Sequence, residues 1–154
     1  MGLERIEWTD EYKIGINVID NQHHRIIEYI NSLFDMGDNP AKDQLALVID
    51  SMIDYTYSHF AFEEALMEEA GYDFLSVHKR SHEAFTQRIN DLHQRFIDGE
   101  DVKNEIGELL QAWLINHIMS DDQSYAPVVK EKLPIIEKKD SGSWLSATIK
   151  RIFS

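Results

Sequence analysis

The chain has 154 residues with 15 basic and 28 acidic side chains, a formal net charge of −13, which argues against nucleic-acid binding because that requires a basic surface. It has no cysteine, which excludes disulfides and thiolate ligands and leaves histidine and carboxylate groups to hold any bound metal. Since no apolar run approaches the roughly 18 residues of a membrane span and no secretory signal opens the sequence, we expect a cytoplasmic protein without a transmembrane segment.

The sequence predicts an extended N-terminal arm followed by four amphipathic helices. Residues 1–18 lack sustained helical periodicity, and their aromatic side chains Trp8 and Tyr12 are expected to pack on the helices. Apolar residues then recur at helical spacing, with glycines at the breaks. The predicted helices are Val18–Met36, Ala41–Ala70, Phe74–Ile97 and a fourth that begins near Asp101 and ends at Pro127 and Pro134. Short turns between them predict an all-α, up-down-up-down antiparallel four-helix bundle.

The C-terminal residues form a segment of different character. We expect residues 1–134 to be one domain and residues 135–154 to be an amphipathic tail with a short helix. Within residues 143–154, apolar side chains such as Trp144 and Phe153 accompany Lys150 and Arg151. Two interpretations stay open: the tail packs back on the bundle or frays, or it makes a weak contact with a membrane surface or a partner protein.

Five of the seven histidines occupy apolar stripe positions in the predicted helices, where a bundle normally has leucine or isoleucine. Burying five imidazoles without partners would cost several kcal/mol, which is too much for a domain stable by about 5–15 kcal/mol. A shared metal would satisfy all of them. With alternating helix directions, these histidines fall in the same half of the bundle. They are His23, His59, His78, His82 and His117.

Carboxylates with suitable spacing accompany these histidines. Glu63 follows His59 by four residues and shares its helix face, whereas Glu64, Glu68 and Glu69 are expected to form a solvated face. After His117, regular helix geometry favours Asp121 as a ligand, because the next residue lies about 140° away from His117 around the helix. The residues alone leave the metal open among iron, manganese and zinc.

The pattern as a whole resembles the hemerythrin family over about residues 5–130. The up-down four-helix bundle is also the known fold of myohemerythrin, so the resemblance implies the same fold as the helical pattern. The resemblance implies two non-heme iron ions, Fe²⁺ or Fe³⁺, with a bridging oxo or hydroxo group. The matching residues are Trp8, Gly15, Asp20-Asn21-Gln22-His23, His59-Phe60, Glu63-Glu64, Met67, Gly71-Tyr72, His78, His82, Phe85, Trp113-Leu114, His117-Ile118, Asp122 and Tyr125.

The resemblance also implies which residue does what. His78, His82 and His117 would bind one iron, while His23 and His59 would bind the other. Glu63 and Asp122 would bridge the two irons. The choice of Asp122 over Asp121 requires the helix to deform near Met119–Asp122, or the side chain to reach the irons from off the axis.

The function implied by the resemblance is reversible dioxygen binding by an oxygen carrier, store or supplier that is not an enzyme. The iron with two histidines would keep an open position for dioxygen, inside a dry apolar pocket. Phe60, Trp113, Leu114 and Ile118 would line that pocket, although ordinary core packing also explains them. The alternatives are a sensor of oxygen, nitric oxide or redox state that acts through a partner, and a di-iron oxidase or peroxidase.

Overall fold

The computed structural model describes residues 3–139, with residues 134–139 described by their backbone alone. A single 3₁₀ turn, Asp10–Tyr12, interrupts the N-terminal arm, and no strand occurs within the described range. The expected C-terminal tail helix in residues 143–154 lies outside the described residues. The helices are α1 (Asn17–Asp35), α2 (Lys42–Ala70), α3 (Leu75–Ile97), α4 (Lys103–Asn116) and α5 (Gln123–Lys139), with a π-helical segment, His117–Asp122, between α4 and α5.

The helices form the predicted antiparallel bundle. Helix α1 packs on α2 and α4, and α3 packs on the same two helices, so the four elements surround one core. Helix α5 prolongs α4 through the π-helical segment and packs on α2. Gly37 and Gly71 have positive φ angles of 72° and 71°, which end α1 and α2 at the predicted glycines. None of the helices in residues 3–139 is both long and apolar enough to cross a membrane.

The predicted end of the fourth helix at Pro127 and Pro134 is wrong. Helix α5 continues through both prolines to Lys139. A proline inside a helix costs roughly 3 kcal/mol because it removes a backbone hydrogen bond. Around Pro127, the side chains of Tyr125 and Val129 are fully buried, and their packing on the bundle outweighs that cost. The division of the chain at residue 134 stays a prediction.

The N-terminal arm lies on the bundle as predicted. Trp8 stacks on the exposed His24 with ring centroids 5.0 Å apart, and Ile14 and Ile16 are buried. The buried carboxylate of Asp20 accepts hydrogen bonds from the backbone N–H groups of Ile14 (2.8 Å) and Gly15 (3.2 Å). This contact fastens the arm to the first turns of α1, beside the helix face that carries His23.

Candidate metal centre

Seven ionisable side chains meet inside the bundle, and none is more than 5% exposed. Each helix of the bundle contributes at least one of them, because their stripe positions face the common core. They are His23 from α1, His59 and Glu63 from α2, His78 and His82 from α3, and His117 and Asp122 from the π-helical segment.

Three of these histidines form one group, which we call the three-histidine group: His78, His82 and His117. The Nε2 atoms of His78 and His82 each lie 3.1 Å from Nε2 of His117. Two nitrogen ligands about 2.1 Å from one cation and at right angles to each other would be roughly 3.0 Å apart. The spacing of these nitrogens therefore fits a common metal ion.

The other two histidines form the two-histidine group: His23 and His59. Their Nε2 atoms lie 3.7 and 3.3 Å from Oε2 of Glu63. These two histidines, Glu63 and Asp122 bring their ligand atoms within 4.8 Å of one another, as do Glu63 and the three-histidine group. The site thus offers two places for a cation, which share a carboxylate.

Each buried carboxylate turns one oxygen to each group. Glu63 Oε1 lies 3.1 Å from His78 and 3.0 Å from His82, while its Oε2 faces the two-histidine group. Asp122 Oδ1 lies 3.0 Å from His117 Nε2, and Oδ2 lies 3.0 Å from His23 Nε2. Glu63 and Asp122 therefore have the geometry of two bridging ligands.

The π-helical segment explains how Asp122 reaches the centre. Its i→i+5 hydrogen bonds bring a residue five positions after His117 back to the same face. Asp122 is fully buried, whereas the side chain of Asp121 is 44% exposed. Regular α-helical spacing would have selected Asp121. Of the two routes considered for Asp122, a deformed helix or an off-axis side chain, the structure has the deformed helix.

Several buried polar atoms of the centre have no hydrogen-bond partner among the described residues: His23 Nδ1 and Nε2, His59 Nε2 and both carboxylate oxygens of Asp122. The short contact between His23 and Asp122 does not have the direction of a hydrogen bond. Buried unpaired polar groups cost about 1–3 kcal/mol each and are rare in native proteins. A cation in each group would pair the inward-facing atoms, so these residues fit a two-metal centre.

The charges of the centre also suit a cation. Burial alone would raise the pKa of Glu63, but the surrounding histidines hold it well below its usual value. The pKa of Asp122 is likewise lowered. Burial lowers the pKa of His23 and of His78, yet their contacts with Asp122 and Glu63 outweigh it and raise both to about 9. Without metal, the two carboxylates are therefore ionised and favour the protonated forms of His23 and His78.

Polar groups around the centre hold its histidines in place, a role that helical periodicity did not reveal. Nδ1–H of His59 donates to Gln22 Oε1 (2.6 Å), and Nδ1–H of His82 donates to Glu64 Oε2 (2.8 Å). Such hydrogen bonds orient a ligating imidazole and leave its Nε2 free for a metal. The expectation that Glu64 belongs to a solvated face is therefore wrong, because the side chain is only 26% exposed and is paired.

Two further outer contacts complete this set. Nδ1–H of His117 donates to Asp121 Oδ2 (2.9 Å), and the Tyr125 hydroxyl donates to Glu63 Oε2 (2.9 Å). Asp121, the alternative ligand in the sequence analysis, thus supports His117 from outside. The sequence signal for Asp121 was its i+4 spacing from His117, which does bring the two side chains together.

The four residues expected to line an oxygen pocket all lie in the helices that carry the centre. The Phe60 ring stacks on His82 and the Trp113 ring stacks on His117, with centroids 4.0 and 4.2 Å apart. Leu114 and Ile118 are fully buried. The two aromatic rings therefore cover the three-histidine group. Their part in an oxygen pocket stays a prediction.

Comparison with known protein sequences agrees with the resemblance noted in the sequence. A family model for the Hemerythrin HHE cation binding domain matches residues 14–129. A bacteriohemerythrin from Pseudomonas aeruginosa (strain LESB58) is 45% identical over 152 residues, covering 98% of this chain and 99% of the relative. A bacteriohemerythrin from Stenotrophomonas maltophilia (strain R551-3) is 49% identical over 147 residues, covering 95% and 96%.

Comparison with solved structures agrees. The crystal structure of a wild-type hemerythrin superposes with a TM-score of 0.77 at 29% sequence identity, covering 82% of this chain and 98% of that one. The chain therefore belongs to the hemerythrin family of di-iron proteins, and at this level it is an oxygen-binding protein.

Proposed function

We propose that the protein binds dioxygen reversibly and acts as an oxygen carrier, store or supplier. The observation that supports this most strongly is the unequal division of the centre, because two shared carboxylates join a three-histidine group to a two-histidine group. When bound, the iron pair supplies two electrons and a vacant coordination position for dioxygen. In this proposal His78, His82 and His117 hold one iron, His23 and His59 hold the other, and Glu63 and Asp122 hold both.

The chain's own contribution is to limit access and fix geometry. The ligands lie on four helices whose packing fixes their spacing, and the two-histidine group has one ligand fewer. Buried apolar side chains keep water from the centre. Because water and protons promote the loss of a reduced oxygen species, their exclusion favours the release of unchanged dioxygen. We assign this role to Leu114 and Ile118, and to Phe60 and Trp113 beside the three-histidine group.

We further propose that the protein is not an enzyme. Di-iron carboxylate proteins of the ferritin-like type take a glutamate from each of two helices and a Glu-x-x-His pair from each of the others, whereas this centre has five histidines and two carboxylates. The outer polar groups Gln22, Glu64, Asp121 and Tyr125 each bond to a ligand side chain. They are thus engaged in support and not presented to a substrate. We retain the cytoplasm as the proposed location.

The test is visible absorption of the iron-loaded protein through repeated cycles of oxygen addition and removal. We expect a charge-transfer band that appears with oxygen and disappears under vacuum, with little loss per cycle. Irreversible bleaching or consumption of added oxygen with reductant would favour an oxidase or peroxidase. Oxygen-dependent hydrogen exchange in residues 140–154 would favour a sensor. A di-iron protein with no spectral response to oxygen would refute the proposal.

A further inference from the structure

The hydrogen bonds that support the two histidine groups from outside differ in charge. In the three-histidine group, His82 and His117 donate to carboxylates, those of Glu64 and Asp121. In the two-histidine group, His59 donates to the neutral amide oxygen of Gln22. His23 Nδ1 has no hydrogen-bond partner within residues 3–139. We call Glu64 and Asp121 the outer carboxylates.

An anionic acceptor on Nδ1–H changes what the imidazole can do at Nε2. Hydrogen bonds to an ionised acceptor are roughly twice as strong as neutral ones, and a carboxylate in this position raises the basicity of the ligating nitrogen. Glu64 and Asp121 are partly exposed, with side-chain exposures of 26% and 44%, so solvent reduces the effect without removing it. Gln22 is buried and orients His59 without adding charge.

The outer carboxylates are held in place by the protein. Ser81 Oγ donates to Asp121 Oδ2 at 3.2 Å, which joins α3 to the π-helical segment. Glu64 follows the bridging Glu63 in α2 and reaches across to His82 in α3. Asp121 is therefore held by α3 as well as by His117, whereas Glu64 is held by its bond to His82. Neither one is among the side chains that surround the two candidate cation places, so both act through a histidine.

We infer that Glu64 and Asp121 are positioning residues that make the three-histidine group the stronger metal site, filled first and emptied last. The inference rests on the ligands assigned under the proposed function. Oxygen binding needs both irons. When iron is scarce, the two-histidine group loses its metal first, so the protein keeps one metal but loses its affinity for dioxygen.

The experiment is an anaerobic titration of the metal-free full-length chain with Co²⁺, followed by the visible bands of the bound ion. In the wild type we expect two steps, with the first one tighter. Glu64→Gln and Asp121→Asn should each weaken the first step by about 10–100-fold and change the second step much less. The matched control is Glu68→Gln, an exposed carboxylate one turn further along α2, which should change neither step.

Two further variants separate charge from shape. Glu64→Gln keeps the size of the side chain and an oxygen acceptor, whereas Glu64→Ala removes both. A merely structural role predicts that the glutamine variant titrates like the wild type and only the alanine variant is weakened, and that result would overturn the inference. Gln22→Glu adds a carboxylate beside His59 and should tighten the second step.

The outcomes distinguish this inference from the proposed function. If the wild-type chain binds fewer than two Co²⁺ ions, the ligand assignment fails and the inference fails with it. If the wild type binds two ions but both charge-neutral variants keep the wild-type first step, only the inference fails. Nitrogen-15 spectra of the Zn²⁺-loaded protein show independently whether the hydrogen bond to His82 persists. His82 should keep its proton on Nδ1 in the wild type and in Glu64→Gln, so that a weaker first step in this variant reflects the lost charge and not a lost hydrogen bond.

Discussion

Single residues carry most of the information about the centre. A histidine in an apolar stripe destabilises the fold unless its imidazole has a partner. Five such positions on four helices therefore predicted a metal centre from the sequence. The outer partners of those histidines were harder to foresee. Gln22 reaches from α1 to His59 in α2, and Glu64 reaches from α2 to His82 in α3. Such contacts depend on the distances between helices and on side-chain rotamers, and the helical periodicity of the sequence reveals neither.

Metal loading should depend on pH because two of the histidines assigned to the metals bind protons in the metal-free protein. His23 and His78 have pKa values raised to about 9, so at neutral pH a metal must displace their protons. Affinity for Zn²⁺ should therefore rise with pH up to about 9, as these two histidines lose their protons. Calorimetry in buffers of different ionisation enthalpy will count the released protons. Loading at pH 7 without proton release would contradict this account.

The fully buried Leu114 provides a test of the oxygen pocket. Leu114→Ala leaves a cavity in the core and should lower the free energy of unfolding by about 2–5 kcal/mol. If Leu114 excludes water, the oxygen-dependent absorption should also decay several-fold faster. Urea unfolding and the decay of that absorption in air measure the two effects.

The control for this variant is Leu110→Ala, since Leu110 is equally buried one turn earlier in α4. It should lose comparable stability with little change in the decay of the absorption. Equal decay rates in the two variants would show that Leu114 acts only through core packing.

At the scale of elements, the π-helical segment determines which aspartate enters the centre. Periodicity favoured Asp121, because a regular helix places i+4 and not i+5 above His117. The family resemblance selected Asp122, and the structure shows the deformation that this choice requires. The prediction that the fourth helix ends at Pro127 failed because the packing of Tyr125 and Val129 on the bundle outweighs the backbone hydrogen bond that the proline removes.

The two adjacent aspartates form a natural pair of test variants. Asp122→Asn removes a charge that faces both histidine groups, and we expect binding of two metals to fall to one or fewer under conditions that saturate the wild type. Asp121→Asn should still bind two metals when metal is in excess, because it removes only outer support. Elemental analysis after iron loading distinguishes the two. The same stoichiometry in both variants would refute the assignment of Asp122.

The N-terminal arm depends on one buried carboxylate. Asp20→Ala would leave the buried N–H group of Ile14 without its acceptor, at a cost of about 1–3 kcal/mol, whereas the N–H group of the exposed Gly15 can bond to water instead. Urea unfolding of the metal-free protein should show a loss in that range. Asp10→Ala changes an exposed carboxylate in the same arm and should have little effect. Equal stability of the two variants would show that Asp20 does not anchor the arm.

At the scale of the whole molecule, the up-down topology creates the centre. His23 lies early in α1 and His117 lies at the end of α4, and alternating helix directions bring both to the same half of the bundle. This much was predictable from the sequence, because the helices are long and the turns between them are short. The division of the seven side chains between two irons was implied only by the resemblance and stays a prediction. The structure brings the same seven side chains together in the core.

Anomalous X-ray diffraction at the iron edge, from crystals of the iron-loaded chain, would locate both metals of the proposed centre. We expect two iron peaks, one beside His78, His82 and His117 and the other beside His23 and His59, with Glu63 and Asp122 between them. A single peak shared by both groups, or iron bound anywhere else on the chain, would contradict this expectation.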